Sequence, residues 1–397
     1  MSEIRTLEQQ ELPESLALSQ FAFQYELSAE EQDDRSSWTD PKQIWGYFVQ
    51  GKLAAKLQIN QFHTWLNGQR FAMGGIAGVA TWPEYRRNGM VAKLLLQALK
   101  VMKEQGQTVS FLSPFKFEFY RKYGWETYID YLKYEIPSDK LPKFHAPEGS
   151  SIVRVTREWE LLNPIYEKYA QQFNGMMERD ASWWNNRYFK NKKGTVALYV
   201  NAKGERTGYV FYQVKEYTAT IHEMVFLDEE TRRGLWKFIA DHDSMISRVE
   251  VKAPADDQLP FLVHDPKFKQ EKITYFSARI IDVEAFLKQY RFEPRKEVEP
   301  IYLRISDPHA DWNDGVFQLQ FTGSGGEKAE VIKLAEGEQP ADERILSCSI
   351  QTLTALFMSY QKAGFMAKIE RLQGSQELVT RLEAAIPQRT TYLADFF

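Results

Sequence analysis

Ile76-Ala-Gly-Val-Ala-Thr-Trp-Pro-Glu-Tyr-Arg-Arg-Asn-Gly-Met-Val-Ala-Lys93 passes from a strand through a turn into a helix. Residues 76–81 read as a β-strand, Pro83 marks the turn, and a helix begins near Asn88. Val91, Leu94, Leu95, Ala98, Leu99 and Met102 follow at helical spacing, and Gln105-Gly106 stops the run. Between strand and helix stand Arg86, Arg87, Asn88 and Gly89. The first turn of a helix has N–H groups without intrahelical partners and lies at the positive end of the dipole, so it attracts a phosphate. Gly89 lets that backbone approach an anion with no Cβ in between. The stretch has the make-up of a pyrophosphate cradle. A helix start with a solvated arginine pair has the same spacing, so the parts that follow have to decide.

Downstream come a strand, 109–113, and then Phe119-Tyr-Arg-Lys-Tyr-Gly-Trp125. The order strand, Arg86-x-x-Gly89-x-Val91, helix, strand, tyrosine before Gly-aromatic resembles the acetyl-CoA site of the GNAT N-acetyltransferases. Val91 departs from that family's usual Gly or Ala, but the cradle's contacts come from backbone amides, which it retains. The resemblance implies that Val79, Ala80 and Thr81 pair with the pantetheine arm. It places the phosphates on Arg86, Arg87, Asn88, Gly89, Met90 and Val91, with Ser113 near the coenzyme.

With 397 residues the chain exceeds one ordinary domain, and a 43% hydrophobic share with 14% aromatics can build sizeable cores. A net charge of −4 argues against a nucleic-acid partner, including a transferase reading with aminoacyl-tRNA as donor, which needs a basic groove. The lone cysteine, Cys348, excludes an intrachain disulfide and fits a reducing cytoplasm. The start, Met-Ser-Glu-Ile-Arg, has no apolar signal core, and no apolar run reaches membrane-spanning length. The six histidines (63, 145, 222, 242, 264, 309) have no metal-ligand spacing, so no metal is expected.

Three units are expected: 1–145, 146–283 and 284–397. In the first, 13–23 is helical, and the acidic run Glu26 to Asp34 reads as a solvated loop able to form an acidic rim. Strands at 44–49 and 53–61 and an Asn67-Gly68 hairpin lead to the central strand, and 128–136 closes the unit. Pro142, Pro147 and Gly149-Ser-Ser form a linker. The second unit repeats the first in degraded form. After a strand at 222–226 comes Leu227-Asp-Glu-Glu-Thr-Arg-Arg-Gly234, where acids occupy the anion position and repel a pyrophosphate. The third begins with Asp282 as N-cap of a helix over 283–290. Val316 to Phe321 alternates, Gly323 to Gly326 makes the turn, and Ser349 caps a helix with Ile350, Leu353, Phe357 and Tyr360 on one side, stopped by Gly364. A last helix spans 376–385. This unit resembles the sterol-carrier-protein-like fold, so the fold class is α/β (α+β): tandem GNAT-like domains followed by a sterol-carrier-protein-like α+β domain.

That three-part order resembles the enhanced intracellular survival (Eis) family of bacterial acetyltransferases, in which an aliphatic residue follows the Arg-Arg-x-Gly cradle. The resemblance implies acetyl-CoA as donor, a small amine acceptor such as an aminoglycoside, and a homo-hexamer. It also implies a tyrosine acid at Tyr120 and a base at the terminal carboxylate of Phe397. Such a carboxylate, with a pKa of about 3.5 in water, becomes more basic when buried beside Phe396 and Tyr392. Tyr120 is equally able to be a core aromatic, with Phe117, Phe119 and Tyr123 as competitors. Phe21, Phe23, Tyr25, Glu26 and Trp38 are candidate acceptor contacts, their aromatic walls and acidic tips suiting a cationic amine. The competing function is a non-catalytic protein that holds an apolar ligand in its last domain.

Overall fold

The computed structural model describes residues 2–295, 299–322 and 325–397. Three sheets organise the chain. The first has the order Ser2–Thr6, Ile44–Val49, Lys52–Leu66, Gln69–Thr81, Val109–Leu112, Ser277–Ile280, Glu126–Thr127. The Asn67-Gly68 turn joins its two longest strands, as its sequence predicts. The central strand Gln69–Thr81 and Val109–Leu112 pair in parallel only over Met73 to Ile76. Beyond Ile76 the two strands part, and a bulge opposite Leu57 re-aims the end of the central strand. The helix Met90–Glu104 lies on the sheet because its apolar stripe, Leu94, Leu95, Ala98, Leu99 and Met102, packs on Leu57, Ile59, Ile76 and Leu112. Each such leucine or isoleucine contributes about 1.5–3 kcal/mol when fully buried.

The second sheet repeats this plan, in the order Lys269–Thr274, Asp130–Pro137, Arg248–Pro254, Thr218–Phe226, Arg206–Lys215, Thr195–Val200, Ser151–Val155. It again holds one short parallel pair, Thr218 to Ile221 with Arg248 to Val251. The helix that follows, Glu229–Ala240, is capped by its own Asp228, whose side chain accepts from Thr231 N at 2.8 Å. A carboxylate therefore occupies the place a phosphate would need.

The two sheets exchange strands. The segment expected to close the first unit, 128–136, pairs through Asp130–Pro137 with Arg248–Pro254 and Lys269–Thr274 in the second sheet. In return Ser277–Ile280 inserts between Val109–Leu112 and Glu126–Thr127 in the first. Alternation reveals that a segment is a strand, but the partner is set by the burial of both its faces. Tyr134 and Ile136 fill the second core together with Val249 and Ile221.

The third sheet runs Lys328–Leu334, Gly315–Thr322, Ile301–Ser306, Ile345–Ser349, Leu372–Gln373. Asp282 caps Val283–Gln289 through Ala285 N, and Ser349 caps Ile350–Phe357 through Thr352 N. That second helix ends seven residues before Gly364, because Ser359 turns left-handed (φ 63°) and Tyr360 leaves to donate to Asp130. Gly364 lies instead in a separate short helix, Ala363–Lys368. Of the turn expected at 323–326, Gly323 and Ser324 lie outside the described residues. The interior that an apolar ligand would need is filled by Phe286, Tyr290, Phe292, Phe317 and Phe357, each at most 1% exposed. No helix among the described residues is long and apolar enough to cross a membrane.

Candidate active site

Where the central strand parts from its neighbour, a cavity of about 510 Å³ opens. Val79 from that strand, Ser113 from the end of the next and Tyr120 from the short helix Phe117–Arg121 all line it, together with Phe396 and Phe397. Tyr120 is 2% exposed. Phe115 and Phe119 hold its ring edge-on at 5.3 and 5.2 Å. Burial pushes its phenol well above the ordinary value, so it stays protonated at neutral pH.

The chain's last residues, which end the third unit, reach this cavity while anchored on the second domain. Asp395 is 3% exposed, and its oxygens accept from Arg179 Nε at 3.1 and 3.0 Å, from Trp183 Nε1 at 2.9 Å and from Tyr166 at 3.3 Å. Arg179 also donates to Glu223 at 3.1 and 2.6 Å. Burial alone would raise Glu223, but the charge and hydrogen bonds of Arg179 outweigh it and hold the carboxyl low. Backbone bonds between Asn174 and residues 390 and 392 tie down the preceding segment. Two residues past Asp395, the Phe397 ring lies 5.1 Å from both Phe62 and Phe276. Gly75 leaves that ring its room: a Cβ there would come within 2.9 Å of Phe397 and 2.7 Å of Phe62.

The cradle has the form its sequence predicts. Gly89 is the N-cap of Met90–Glu104, in the left-handed region at φ 68°. No side chain caps this helix, no acid lies in its first turn, and a Cβ at Gly89 would meet nothing within 4 Å. An open, uncapped helix start beside a strand end that is unpaired on its edge toward Val109–Leu112 suits the diphosphate and amide arm of acetyl-CoA. Arg86, Arg87 and Asn88 are exposed at the turn. Arg86 Nε approaches the Thr81 carbonyl at 3.4 Å, and Asn88 donates to the Tyr85 carbonyl at 3.3 Å. Val91 is half-buried. Met90 and Ala80 bury their side chains in the core, so only their backbone is available to a ligand.

The acceptor side departs from expectation. The acidic run is not a loop but the helix Ala29–Trp38, started by a capping box between Ser28 and Glu31. Two of its carboxylates are engaged elsewhere: Glu31 caps, and Asp34 pairs with Lys190 at 2.7 Å. Phe23 and Tyr25 line the cavity, but Phe21 does not, since its ring stacks 5.2 Å from Trp82. Glu26 is exposed and outside the lining. Trp38 faces a neighbouring cavity of about 210 Å³.

Several lining groups are not apparent from the sequence. Lys56 reaches the cavity from the strand Lys52–Leu66, and Arg187 and Asn191 reach it from the second domain. Arg187 sits on Trp183–Tyr188, a turn wound as a π-helix, a form frequent at functional sites. The signal for Lys56 lies in Ser15 and Ser19, two hydroxyls four apart on one face of the helix Leu12–Phe23, which both accept from its ammonium.

Comparison with known proteins agrees with this architecture. Models of the acetyltransferase (GNAT) domain match residues 3–128 and 175–280, and a sterol carrier protein domain matches 283–394. N-acetyltransferase Eis of Mycobacterium bovis is 23% identical over 348 residues, covering 80% of each chain. The chain belongs to the GNAT acetyltransferases. A second relative of this GNAT chain, an uncharacterized N-acetyltransferase of Streptomyces griseus, is 26% identical over 260 residues. That match covers 59% of this chain and spans 62% of the relative's length. The crystal structure of a conserved Enterococcus faecalis protein described as a probable N-acyltransferase superposes with a TM-score of 0.91. It is 27% identical and covers all of both chains.

Proposed function

We propose that this protein is an Eis-type acetyltransferase that transfers an acetyl group from acetyl-CoA to a primary amine of a small acceptor. The observation that carries the reading is that Tyr120, the parted end of the central strand and Phe397 border one cavity. The amine nitrogen attacks the thioester carbonyl carbon, a C–N bond forms and the C–S bond breaks. The Phe397 carboxylate takes the proton from the nitrogen, the residue being held at the cavity by the packing of its ring on Phe62 and Phe276. Tyr120 protonates the departing thiolate, and the carboxylate's proton returns to Tyr120 through water.

Full transfer from a phenol raised by burial to a thiolate whose acid has a pKa of roughly 8.5 is uphill. The main contribution of Tyr120 is therefore a hydrogen bond that strengthens as charge grows on sulfur. In this reading the coenzyme's phosphates meet the amides after Gly89, and its amide arm pairs with Val79 and Thr81. The second domain, closed by Asp228, binds no coenzyme. The reading includes a homo-hexamer, checked by light scattering, and a reducing cytoplasm, with which the buried thiol of Cys348 is compatible.

The test is paired. Saturating acetyl-CoA should raise the melting temperature, and an amine acceptor should then release thiol from it. The absence of both the shift and the thiol release would overturn the proposal.

A further inference from the structure

Three cations face the cavity beyond the reacting groups, and no Asp or Glu side chain among the described residues lines it. Lys56 is 5% exposed, and its Nζ donates to Ser15 Oγ and Ser19 Oγ, both at 2.7 Å. An ammonium has three N–H donors. The third has no acceptor among the described residues. Arg35 donates to the Tyr25 hydroxyl at 3.1 Å and to no carboxylate among the described residues. Arg187 lies over the Trp38 ring at 4.9 Å and likewise has no ion pair among them.

These groups repel one another. Burial, and after it the like charge of Arg35, lowers Lys56 to about 7 and Arg187 to about 10. The acids lining the adjoining cavity of about 210 Å³ with Arg187 are already engaged, Glu178 by Arg70, Asp180 by the backbone of Trp183 and Asp40 by the backbone of Lys42, and Asp34 pairs with Lys190. The adjoining cavity of about 350 Å³ shares Arg187, Asn191 and Phe396 and adds Lys133, Lys192 and Lys252. Of its two acids, Asp395 is held by Arg179, and Glu250 pairs with Arg248. Apart from the Phe397 terminal carboxylate, which the reaction uses, no anionic group among the described residues lines the first cavity, and like charges gathered in a partly desolvated space are relieved when a further anion joins them. A polycationic acceptor would add to the repulsion.

The donor's phosphates do not account for these cations. The Lys56 ammonium points to the helix Leu12–Phe23, whereas its neighbour Leu57 faces the cradle helix on the other side of the sheet.

We propose that the acceptor is a primary amine that also carries an oxyanion, held by Lys56, Arg35 and Arg187 while the amine faces Tyr120 and Phe397. The inference rests on the acetyl-transfer reading and narrows its acceptor. Phe23, Tyr25, Phe115 and Phe396 wall the space between the two ends, so an aromatic or aliphatic body fits there.

The test reads thiol release from acetyl-CoA with two matched pairs, 4-(aminomethyl)benzoate against benzylamine and O-phosphoethanolamine against ethanolamine. The pairs separate carboxylate from phosphate as the oxyanion. In at least one pair the anionic member should have a kcat/KM about tenfold or more above its neutral partner. Lys56→Gln and Arg187→Gln should each remove most of that ratio by raising KM for the anionic member alone. Neutral amines preferred in both pairs, or a ratio unchanged in both variants, overturns this inference and leaves acetyl transfer standing. No thiol release with any of the four and no coenzyme-dependent melting shift overturns the reading beneath it. Phenylacetate, an oxyanion without an amine, supplies an independent measurement. It should raise the melting temperature of the acetyl-CoA-bound protein but not that of Lys56→Gln, and no rise in the unmutated protein overturns the inference whatever amine is used.

Discussion

Replacing Asp395 by Asn tests whether the buried anchor exists to deliver the chain terminus. The change keeps the side chain's shape but removes the charge that faces Arg179, whose side chain is 0% exposed. Breaking a buried pair from one side is worth about 3–5 kcal/mol, and the lower end applies because Glu223 still neutralises the guanidinium. The loss falls on a tail held otherwise by Asn174, by Tyr275 donating to the Asp395 carbonyl at 3.1 Å and by the rings around Phe397. The tail should therefore loosen before the domain unfolds, and kcat should drop about 100-fold as the base loses its position. Acetyl-CoA affinity, measured by calorimetry, should be unchanged. Glu223→Gln is the control, since it breaks the other half of the same network and leaves Asp395 on Arg179. It should lower the melting temperature similarly with a much smaller effect on kcat. Equal losses of kcat in the two variants, or an Asp395→Asn enzyme that is destabilised yet fully active, would refute the reasoning.

Tyr120→Phe should lower kcat by roughly 10–100-fold with little change in coenzyme affinity, because the hydrogen bond to sulfur exists mainly in the transition state; stopped-flow thiol detection measures it. A few residues added after Phe397 turn its carboxylate into an amide and should abolish turnover while the melting temperature stays put. Lys56→Met should stabilise the free protein by about 2 kcal/mol at pH 7.5. Holding a lysine near 7 instead of 10.5 is unfavourable by about 4 kcal/mol at that pH, and the two serine hydrogen bonds return about half. Between those values the unfolded chain carries a proton that the folded one lacks, so this lysine makes stability rise with pH from 7 to 10.5. Chemical denaturation across that range should show a shallower slope in Lys56→Met.

The open helix start at Gly89 was legible because its parts are local: a strand, a glycine and an apolar stripe within one stretch of chain. Tyr120 and Phe397 were legible only through resemblance to a family, since nothing in their neighbours says that the two meet. The acidic segment misled because its charge suggests a loop, whereas Ser28 and Glu31 form a cap that outweighs composition. Lys56 was hidden because a strand's alternation tells which face a residue takes but not that a helix carrying Ser15 and Ser19 will cover that face. Arg187 belongs to the second domain, and its place in the first domain's cavity follows from packing at long range.

Because Ser277–Ile280 hydrogen-bonds to Val109–Leu112, the leading sheet lacks an inner strand until residue 280 has left the ribosome. A nascent chain stalled earlier has Val109, Phe111 and the edge of Glu126–Thr127 uncovered, an open invitation to pair with another polypeptide. Cutting the gene between the tandem units should therefore yield two insoluble fragments rather than two small enzymes, and co-expressing them should restore one soluble protein.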